Sequence, residues 1–316
     1  MKASSFASSF LVALFSLVIA IGLVIPCGAQ EARKSASERR VILKNLIQKE
    51  KYLMVPGVYD AISARLVEQA GFPVVYIGSY ATAASQYGLP DDWMVNLTQM
   101  VDKARTVVNA TNIPVIGDAE NGFSFAANIW STVQAFEQAG VSAIHIEDHE
   151  FGKHTDLPKV ILPTEQMVGK IRAAVGARQD PNFLIIARTD IISATGNPED
   201  AVKRANAYID AGADMVFPTG MPLDKMKELR GQIKGKVMTT HSGRSAADEE
   251  MAGANVILYY DFSLSVAYKA VKNALTRLRA TKDISQLRDA LYNEAEFAEF
   301  IGTPLFVEKV NKYMKK

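Results

Sequence analysis

The feature that most constrains the fold is a repeated alternation of short apolar runs with amphipathic segments. Three of the amphipathic segments end in "EQAGF", "EQAGV" and "DAGAD", where glycine can adopt the left-handed conformation that ends a helix before the next strand. Apolar strands separated by helices are typical of a parallel sheet covered on both faces. Eight such units favour a (β/α)8 TIM barrel, and the alternative is an open doubly wound sheet.

The pattern also predicts the element boundaries. The predicted strands are Leu53–Val58, Pro73–Ile77, Ile113–Asp118, Ala143–Glu147, Phe183–Ala187, Met215–Phe217, Val237–Thr240 and Asn255–Tyr259. The helices that follow them are predicted at Ala61–Ala70, Leu97–Asn109, Ala126–Ala139, Pro163–Ala177, Glu199–Ala211, Leu223–Lys234, Ala246–Ala252 and Ser263–Ala280. A solvated helix, Ser35–Lys49, precedes the first strand. The barrel domain is therefore placed at residues 35–280. Residues 281–316 form a helical extension whose apolar pattern needs a surface on the barrel or on a partner subunit.

The first thirty residues differ from the rest. Lys2 is followed by the apolar run Leu11–Ile25 and then by Pro26 to Gln30. This run is short for a membrane span, which needs roughly 20 residues. A basic start, a short apolar core and small residues after it indicate a signal peptide, residues 1–30, and an exported, periplasmic protein. An uncleaved membrane anchor is the alternative. Cleavage near Gln30 would remove Cys27, the single cysteine, and with it any disulfide, zinc–thiolate or cysteine chemistry.

The charge balance gives no reason to expect nucleic-acid binding. The chain has 35 Lys and Arg against 34 Asp and Glu, for a formal charge of +1. The expected partner is a small molecule.

Acidic residues collect where the predicted strands end. The stretch "GDAENGFS" places Asp118 and Glu120 after the third strand, and Glu147 follows the fourth. If the third strand runs on to Glu120, both of its acids project to the same side, because side chains alternate along a strand. Two carboxylates about 4 Å apart repel by roughly 4 kcal/mol at an effective dielectric near 20, so a cation or a proton is needed. Oxygen ligands without cysteine favour Mg²⁺, with Mn²⁺ or Ca²⁺ as alternatives.

Structural explanations for the same residues stay open. Acids at strand ends also cap the following helices. Arg188 could form a structural ion pair with Asp190. His145 is expected to be a packed, neutral histidine inside the barrel, and His149 and His154 are expected to be solvated.

Five motifs carry a resemblance to a known family. "VPGVYDAISARLVEQAGF", "VIGDAENGF", "AGVSAIHIEDHEFGK", "GKIRAAVGAR" and "IIARTD" occur in this order between Val55 and Asp190. Together they resemble the isocitrate lyase/phosphoenolpyruvate mutase superfamily. The likeness runs from about Val55 to Phe217 and continues more weakly to the end of the chain. The resemblance implies a (β/α)8 barrel whose terminal helix is exchanged between subunits of a homodimer or homotetramer.

The resemblance also implies roles for residues of this chain. It implies Mg²⁺ held by Asp118, with Glu120 and Glu147 acting directly or through water, and Asp91 of "GLPDD" completing the outer shell. The 2-oxo acid end of a substrate would chelate the metal. The substrate carboxylate would meet the backbone at Gly78 and Ser79, beside Tyr76, and the guanidinium of Arg188. The implied catalytic side chains are Arg188, Lys153 and Thr155.

Three positions depart from the family pattern. The lyases carry "K-[KR]-C-G-H" in a gating loop, where the cysteine protonates the carbanion. Here Lys153 is followed by His154, and Thr155 stands in the cysteine position. Glu120 replaces the commoner aspartate, and Thr219 lies where methylisocitrate-type lyases have a glutamate that reads the larger substrate. A lyase that depends on a loop cysteine is therefore not expected.

Two chemistries and one non-catalytic role remain. The first is Mg²⁺-dependent C–C cleavage of a small 2-oxo diacid, such as oxaloacetate decarboxylation, which needs no acid in the bond-breaking step. The stretch "FGKHTDLPKVILPTEQMVGKIRAA" resembles the oxaloacetate-decarboxylase branch most. The second is phosphorus–carbon chemistry on phosphonopyruvate, by a mutase or a hydrolase. The third is an organic-acid binder without turnover.

Overall fold

The computed structural model describes residues 33–314, with the exception of the Phe151 side chain. The predicted signal peptide and Cys27 lie outside the described residues. Within the described part of the chain, no helix is both long and apolar enough to cross a membrane.

Ten strands form within these residues. They are β1 (Leu53–Val58), β2 (Val75–Ile77), β3 (Val115–Asp118), β4 (Ala143–Glu147), β5 (His149–Phe151), β6 (Val160–Ile161), β7 (Leu184–Thr189), β8 (Met215–Pro218), β9 (Lys236–Thr240) and β10 (Val256–Tyr259). Eight of them close a parallel barrel in the order β1-β10-β9-β8-β7-β4-β3-β2. The register Leu53↔Val256 joins the first and last strands, so the (β/α)8 barrel is confirmed and the open sheet is excluded.

Thirteen α-helices accompany the strands in residues 33–314. They are α1 (Ala36–Lys49), α2 (Ala61–Gln69), α3 (Ser79–Thr82), α4 (Leu97–Ala110), α5 (Ile129–Ala139), α6 (Thr164–Ala177), α7 (Ile191–Thr195), α8 (Pro198–Asp210), α9 (Leu223–Leu229), α10 (Ala246–Met251), α11 (Phe262–Thr281), α12 (Glu294–Ile301) and α13 (Thr303–Met314). One turn of π-helix follows α3, at Ala83–Tyr87. The predicted helix that starts at Leu223 is shorter than expected, because a 3-10 turn follows Leu229.

Two apolar layers hold the barrel together. The outer layer packs helix side chains such as Phe136 and Tyr208 against the outward side chains of the strands. The inner layer fills the barrel with side chains such as Ile116 and Phe217. Leu43 and Ile47 of α1 join the inner layer at the end where the strands begin, and both are buried. The expectation that this helix is solvated was wrong, because its apolar face closes the amino end of the barrel.

The C-terminal helices leave much apolar surface exposed. In the described chain, α11 has no buried residue, and Phe262 and Leu275 are 55% and 61% exposed. Leu287 is the tail residue that packs inward, at 2% exposure. The homodimer or homotetramer stays a prediction, and this surface is where a second copy would pack.

An antiparallel hairpin that the sequence pattern did not indicate follows the fourth barrel strand. Strands β5 and β6 pair His149 with Ile161 directly after β4. The loop between these strands contains Lys153 and Thr155. The hairpin therefore sets where the predicted gating loop lies relative to the barrel.

Candidate active site at the carboxyl ends of the barrel strands

A cavity of about 280 Å³ opens at the carboxyl ends of the strands. Its lining includes seven residues singled out from the sequence, namely Tyr76, Ser79, Asp91, Asp118, Lys153, Arg188 and Thr219. The volume is slightly below the roughly 300–1,000 Å³ of typical ligand pockets, so the cavity suits a small molecule. The position agrees with the usual place of active sites in this fold.

Asp118 ends β3 and is held in one orientation. Its Oδ2 accepts hydrogen bonds from the Ser79 N–H at 3.1 Å, the Ser79 hydroxyl at 3.0 Å and the Tyr76 hydroxyl at 3.3 Å. Its Oδ1 accepts the Glu120 N–H at 2.8 Å. Burial alone would raise the pKa of Asp118, but the charges of Lys153 and Arg188 and the hydrogen bond from the Glu120 N–H outweigh it and hold the pKa well below the usual range. Asp118 therefore stays ionised at neutral pH.

His145 packs under this carboxylate inside the barrel. It is fully buried, and its Nε2 lies 3.0 Å from the Tyr76 hydroxyl. Burial lowers the pKa of His145 to about 4. The side chain is therefore a neutral, packed imidazole, as expected from its place on β4.

Glu120 lies beyond β3 rather than in it. Its backbone is left-handed, with φ of 47°, which is uncommon for a residue other than glycine. The strand-alternation argument for Asp118 and Glu120 was therefore wrong, because a turn brings the two acids into one region. Gly122 permits this turn with φ of 92°, and an added Cβ there would come within 2.2 Å of the Ile129 side chain. Glu120 is fully buried, and burial raises its pKa to about 7.

Glu147 ends β4 and is also fully buried. Its Oε2 lies 3.0 Å from Arg188 Nη1, and its Oε1 lies 3.1 Å from Lys153 Nζ. Within the described chain neither oxygen has a donor aligned for a hydrogen bond, so these contacts are ionic. Burial outweighs the two cations and raises the pKa of Glu147 to about 8.

Lys153 reaches from the hairpin loop to the carboxylates. Its Nζ lies 2.9 Å from Glu120 Oε2, 3.1 Å from Glu147 Oε1 and 3.9 Å from Asp91 Oδ2. Burial alone would lower the pKa of Lys153, but Glu147 and the other carboxylates hold it well above its usual range. The ammonium group is therefore a cation that, with Arg188, offsets the buried acids.

Lys159, which sequence reasoning missed, shapes the same loop. Its ammonium donates to the carbonyl oxygens of Gly152, Lys153 and Thr155, at 3.1 Å and 2.7 Å for the last two. A single ammonium group thus binds three carbonyl groups of the loop. This contact could not be read from the sequence, because it depends on the loop conformation.

Thr155 points into its own loop. Its hydroxyl oxygen accepts the Leu157 N–H at 3.2 Å, and Thr155 is not among the cavity-lining residues. Gly78 also does not line the cavity; an added Cβ there would come within 2.7 Å of the Tyr76 ring. The catalytic role of Thr155 and the substrate contact of Gly78 stay predictions.

Arg188 is the second-last residue of β7 and so lies inside the strand rather than after it. Its guanidinium meets Asp190 Oδ1 at 3.2 Å and 3.1 Å and lies 5.5 Å from the centroid of the Phe217 ring. Burial lowers the pKa of an arginine, but Asp190 and Glu147 raise that of Arg188 well above its usual value. Arg188 is therefore paired with Asp190, as the structural explanation expects, and also faces the cavity.

A buried aspartate ties the Arg188 region to the outer helices. Asp148 Oδ1 accepts the Asp190 N–H at 2.9 Å. Asp148 Oδ2 accepts the Tyr208 hydroxyl at 2.8 Å and Arg204 Nη1 at 3.1 Å, both from α8. This network sets the backbone of Asp190 and, through it, the orientation of Arg188.

The two histidines of the hairpin differ in exposure. His149 is 1% exposed, with Nδ1 3.7 Å from Asp190 Oδ2. His154 lines the cavity, and its Nε2 lies 3.3 Å from Asp91 Oδ2. The expectation of solvation was wrong for His149, which packs edge to face against Trp93 with ring centroids 6.1 Å apart. It agrees with the structure for His154, whose side chain is 52% exposed.

The cavity has a second set of lining residues that sequence reasoning missed. They come from the β2, β8, β9 and β10 ends, and they are Tyr80, Phe217, Gly220, Thr240, Leu258 and Tyr260. Tyr80 and Tyr260 pack edge to face with ring centroids 5.6 Å apart. Tyr80 and Tyr260 lie shortly after the ends of β2 and β10, and this position could have identified them in the sequence. Aromatic and hydroxyl residues near strand ends, however, follow no recognisable spacing. Thr219 lies with them, and its buried Oγ1 has no hydrogen-bond partner in the described chain.

The carboxylates fit a hard divalent cation in donor type. Glu120 Oε1 and Asp91 Oδ1 are buried without a hydrogen-bond partner in residues 33–314, so they have lone pairs to offer. In the described residues no group of three or more His, Cys, Asp or Glu side chains is already arranged around one metal position. Lys153 lies between Glu120 and Glu147 instead. An ion and the Lys153 ammonium would therefore draw on the same carboxylate groups.

The fold and the site define a (β/α)8-barrel enzyme whose small cavity joins buried carboxylates to an arginine and a lysine. The chain belongs to the phosphoenolpyruvate phosphomutase family, whose sequence model matches residues 43–279. The predicted membership of the phosphoenolpyruvate mutase/isocitrate lyase superfamily is thereby confirmed.

Similar proteins catalyse different reactions. The 2,3-dimethylmalate lyase of Eubacterium barkeri is 34% identical over 280 residues, which are 86% of this chain and 96% of that protein. The structure of oxaloacetate acetylhydrolase with 3,3-difluorooxalacetate matches with a TM-score of 0.79 at 25% identity, covering 89% of this chain and 98% of that one. Phosphonopyruvate hydrolase with oxalate and Mg²⁺ matches with a TM-score of 0.79 at 26% identity, covering 89% and 100%.

Proposed function

We propose that this protein cleaves a C–C bond of a small 2-oxo diacid in a Mg²⁺-dependent reaction, with decarboxylation of an oxaloacetate-type substrate as the preferred reaction. The proposal rests on the observation that the cavity has a charged part and a weakly polar part. Its charged side chains at the strand ends come from β3 and β7, beside the buried Glu147 of β4. The lining residues from β8, β9 and β10 are aromatic, aliphatic, glycine or hydroxyl-bearing.

This division suits the loss of CO₂. The charged part would hold the 2-oxo acid end, and Arg188 suits a carboxylate because a guanidinium can donate two parallel hydrogen bonds. The weakly polar part, with Phe217, Leu258 and Tyr260, would receive the departing carboxylate. A carboxylate that leaves as a neutral molecule gains from a site with few polar groups around it.

Mg²⁺ would be held by Asp118, with Glu120 and Glu147 as further oxygen donors, and when bound it would supply a Lewis acid for the 2-oxo acid group. Asp118 is suited to this role because its low pKa keeps it anionic. The similarity to a hydrolase solved with oxalate and Mg²⁺ supports this assignment.

The remaining steps use side chains of the chain itself. Arg188, oriented by Asp190, binds and orients the substrate carboxylate. The C3–C4 bond breaks, CO₂ leaves, and the electron pair passes to the carbonyl to form the enolate of pyruvate. Lys153 and Arg188 supply positive charge near that oxygen. A proton from water then reaches C3, since Thr155 is a weak acid and its hydroxyl accepts a hydrogen bond within its own loop.

Phosphorus–carbon cleavage of phosphonopyruvate is the second candidate. It is favoured by the Lys153 ammonium, which lines the cavity, since a phosphoryl group builds charge on three oxygens. The non-catalytic organic-acid binder is the third candidate.

A side-by-side assay separates these candidates. Purified enzyme with Mg²⁺ is given oxaloacetate or phosphonopyruvate, and pyruvate and phosphate are followed. We expect a higher kcat/KM for oxaloacetate, with Lys153→Met depressing phosphonopyruvate turnover by orders of magnitude and oxaloacetate turnover less. Lys203→Met, on the exposed face of α8, is the matched control and should leave both unchanged. A far higher kcat/KM for phosphonopyruvate would overturn the choice of bond, and no turnover of either would favour the binder.

A further inference from the structure

Lys170 of α6 is a buried cation that the proposed reaction does not use. It is 3% exposed, and it belongs to the motif "GKIRAAVGAR". Its Nζ donates to the carbonyl oxygen of Asn121 at 2.9 Å and lies 3.9 Å from Glu150 Oε1. Lysine is rarely buried to this extent unless its charge has partners. The identity of these partners indicates what the side chain does.

The carbonyl that Lys170 binds follows Glu120 directly. Glu120 has φ of 47°, a conformation that persists in a non-glycine residue where the surroundings enforce it. The Glu120 N–H donates to Asp118 Oδ1 at 2.8 Å, and the Glu120 carbonyl accepts the Glu147 N–H at 2.8 Å. These two restraints come from the carboxylate site itself. The bond from Lys170 is a further restraint, and it comes from a helix outside the cavity, as does the bond from the Thr132 hydroxyl of α5 to the Gly122 carbonyl at 2.6 Å.

The second partner of Lys170 lies on the hairpin. Glu150 is the middle residue of β5, and the loop that begins after this strand contains Lys153. Lys170 thus contacts both the turn that bears Glu120 and the strand that leads to Lys153. Glu120 and Lys153 meet at 2.9 Å, so a fixed relation between their backbones matters for the site.

We propose that Lys170 is a positioning residue, which holds residues 119–122 so that the Glu120 carboxylate faces Lys153 and, when present, the divalent ion. Lys170 does not line the cavity. The part that concerns the ion rests on the proposed function, whereas the part that concerns the turn does not.

Amide hydrogen exchange in EDTA tests the turn without metal or substrate. Lys170→Met removes the charge and keeps an unbranched side chain of similar reach, whereas Lys170→Arg keeps a cationic donor. We expect the Lys170→Met variant to exchange about tenfold faster at the amides of Glu120, Gly122 and Glu147, a change of about 1.4 kcal/mol. Lys170→Arg should stay within threefold of the wild type. Lys203→Met is the control for loss of an exposed lysine and should match the wild type.

Two results would overturn the proposal. One is unchanged exchange at these amides in the Lys170→Met variant. The other is equal acceleration throughout the barrel, which would mean that Lys170 contributes only to global stability. If Lys170→Met does not fold, Lys170→Gln replaces it, because its neutral and shorter side chain weakens the same bond.

A calorimetric titration with Mg²⁺ in the presence of oxalate tests the effect on the ion. Lys170→Met should weaken Mg²⁺ binding about tenfold at a temperature at which it is fully folded, and Lys170→Arg should restore it. Equal Mg²⁺ affinity in the wild type and the Lys170→Met variant would overturn the link to the ion. Absence of Mg²⁺ binding in the wild type would instead contradict the proposed function, and the exchange experiment would still decide the role of Lys170.

Discussion

Replacing Lys153 by methionine removes the ammonium that lies 2.9 Å from Glu120 and 3.1 Å from Glu147. At an effective dielectric near 20, each contact has a Coulomb energy of about 5–6 kcal/mol before the cost of desolvation. Removal of one partner of a buried ion pair usually costs roughly 3–5 kcal/mol. Here the cost is smaller, because the stranded carboxylates can take up protons.

The pKa values limit the loss of stability. The pKa of Glu120 is about 7 and that of Glu147 about 8, both raised first by burial. Protonating a group at a pH one unit above its pKa costs about 1.4 kcal/mol. Protonation of Glu120 at pH 8 therefore contributes about that much to the loss of stability. Protonation of Glu147 costs a few tenths of a kcal/mol at pH 8. The loss of the weaker attractions of Lys153 to Asp118 and Asp91 accounts for the rest of the destabilisation. The free energy of unfolding should therefore fall by about 2 kcal/mol at pH 8.

The dependence on pH has a definite sign. Both folded pKa values lie above the value of roughly 4.3 expected in the unfolded chain. Lowering the pH therefore stabilises the folded state, until it reaches the unfolded value. At pH 5 both carboxyl groups are protonated with or without Lys153. The loss caused by Lys153→Met should then be less than half of that at pH 8.

Urea unfolding in EDTA at pH 8 and pH 5 measures this difference, with Lys203→Met as a control that should change stability by less than about 0.5 kcal/mol. Mg²⁺ with oxalate should stabilise the Lys153→Met variant more than the wild type, because the ion no longer competes with the ammonium. A loss that is equal at both pH values, or larger at pH 5, would refute the reasoning, since Lys153 would then not be the partner of the titrating carboxyls.

Mg²⁺ and oxalate together should raise the melting temperature of the wild type but not of Asp118→Ala, and an unchanged wild-type melting curve would contradict the metal assignment. Tyr208→Phe removes the 2.8 Å hydrogen bond to Asp148 and should lower the free energy of unfolding by about 1 kcal/mol in urea; no change would mean that Arg204 alone satisfies this carboxylate. Alkylating reagents should leave turnover unchanged because Cys27 is the single cysteine, and isocitrate should be a very poor substrate; rapid isocitrate turnover would count against this interpretation of the loop. N-terminal sequencing of periplasmic protein should begin near Gln30, whereas intact Met1 in the cytoplasm would contradict export.

Much of the architecture was determined by the sequence itself. Strands such as Ala143–Glu147 and the glycine-ended helices are specified by residues close together in the chain, so their periodicity predicted a barrel that the structure confirms. The strand ends also identified Asp118, Glu147 and Arg188, because parallel strands of a barrel present their carboxyl ends at one face. The missing loop cysteine, replaced by Thr155, was likewise readable directly.

The tertiary structure alone decided how these residues meet. Glu120 lies in a left-handed turn, and Lys170 binds this turn from a helix outside the cavity. Lys153 reaches the carboxylates from a hairpin that the apolar pattern of the sequence did not predict. The sequence predicted a solvated α1 because this helix has many charged residues. Its apolar face is buried because it covers the open end of the barrel. Each of these depends on contacts between segments that are distant in sequence. The periodicity of a sequence shows which face of a helix or strand is apolar. The surface against which that face packs, and the conformation of the loops, are determined only when the barrel forms.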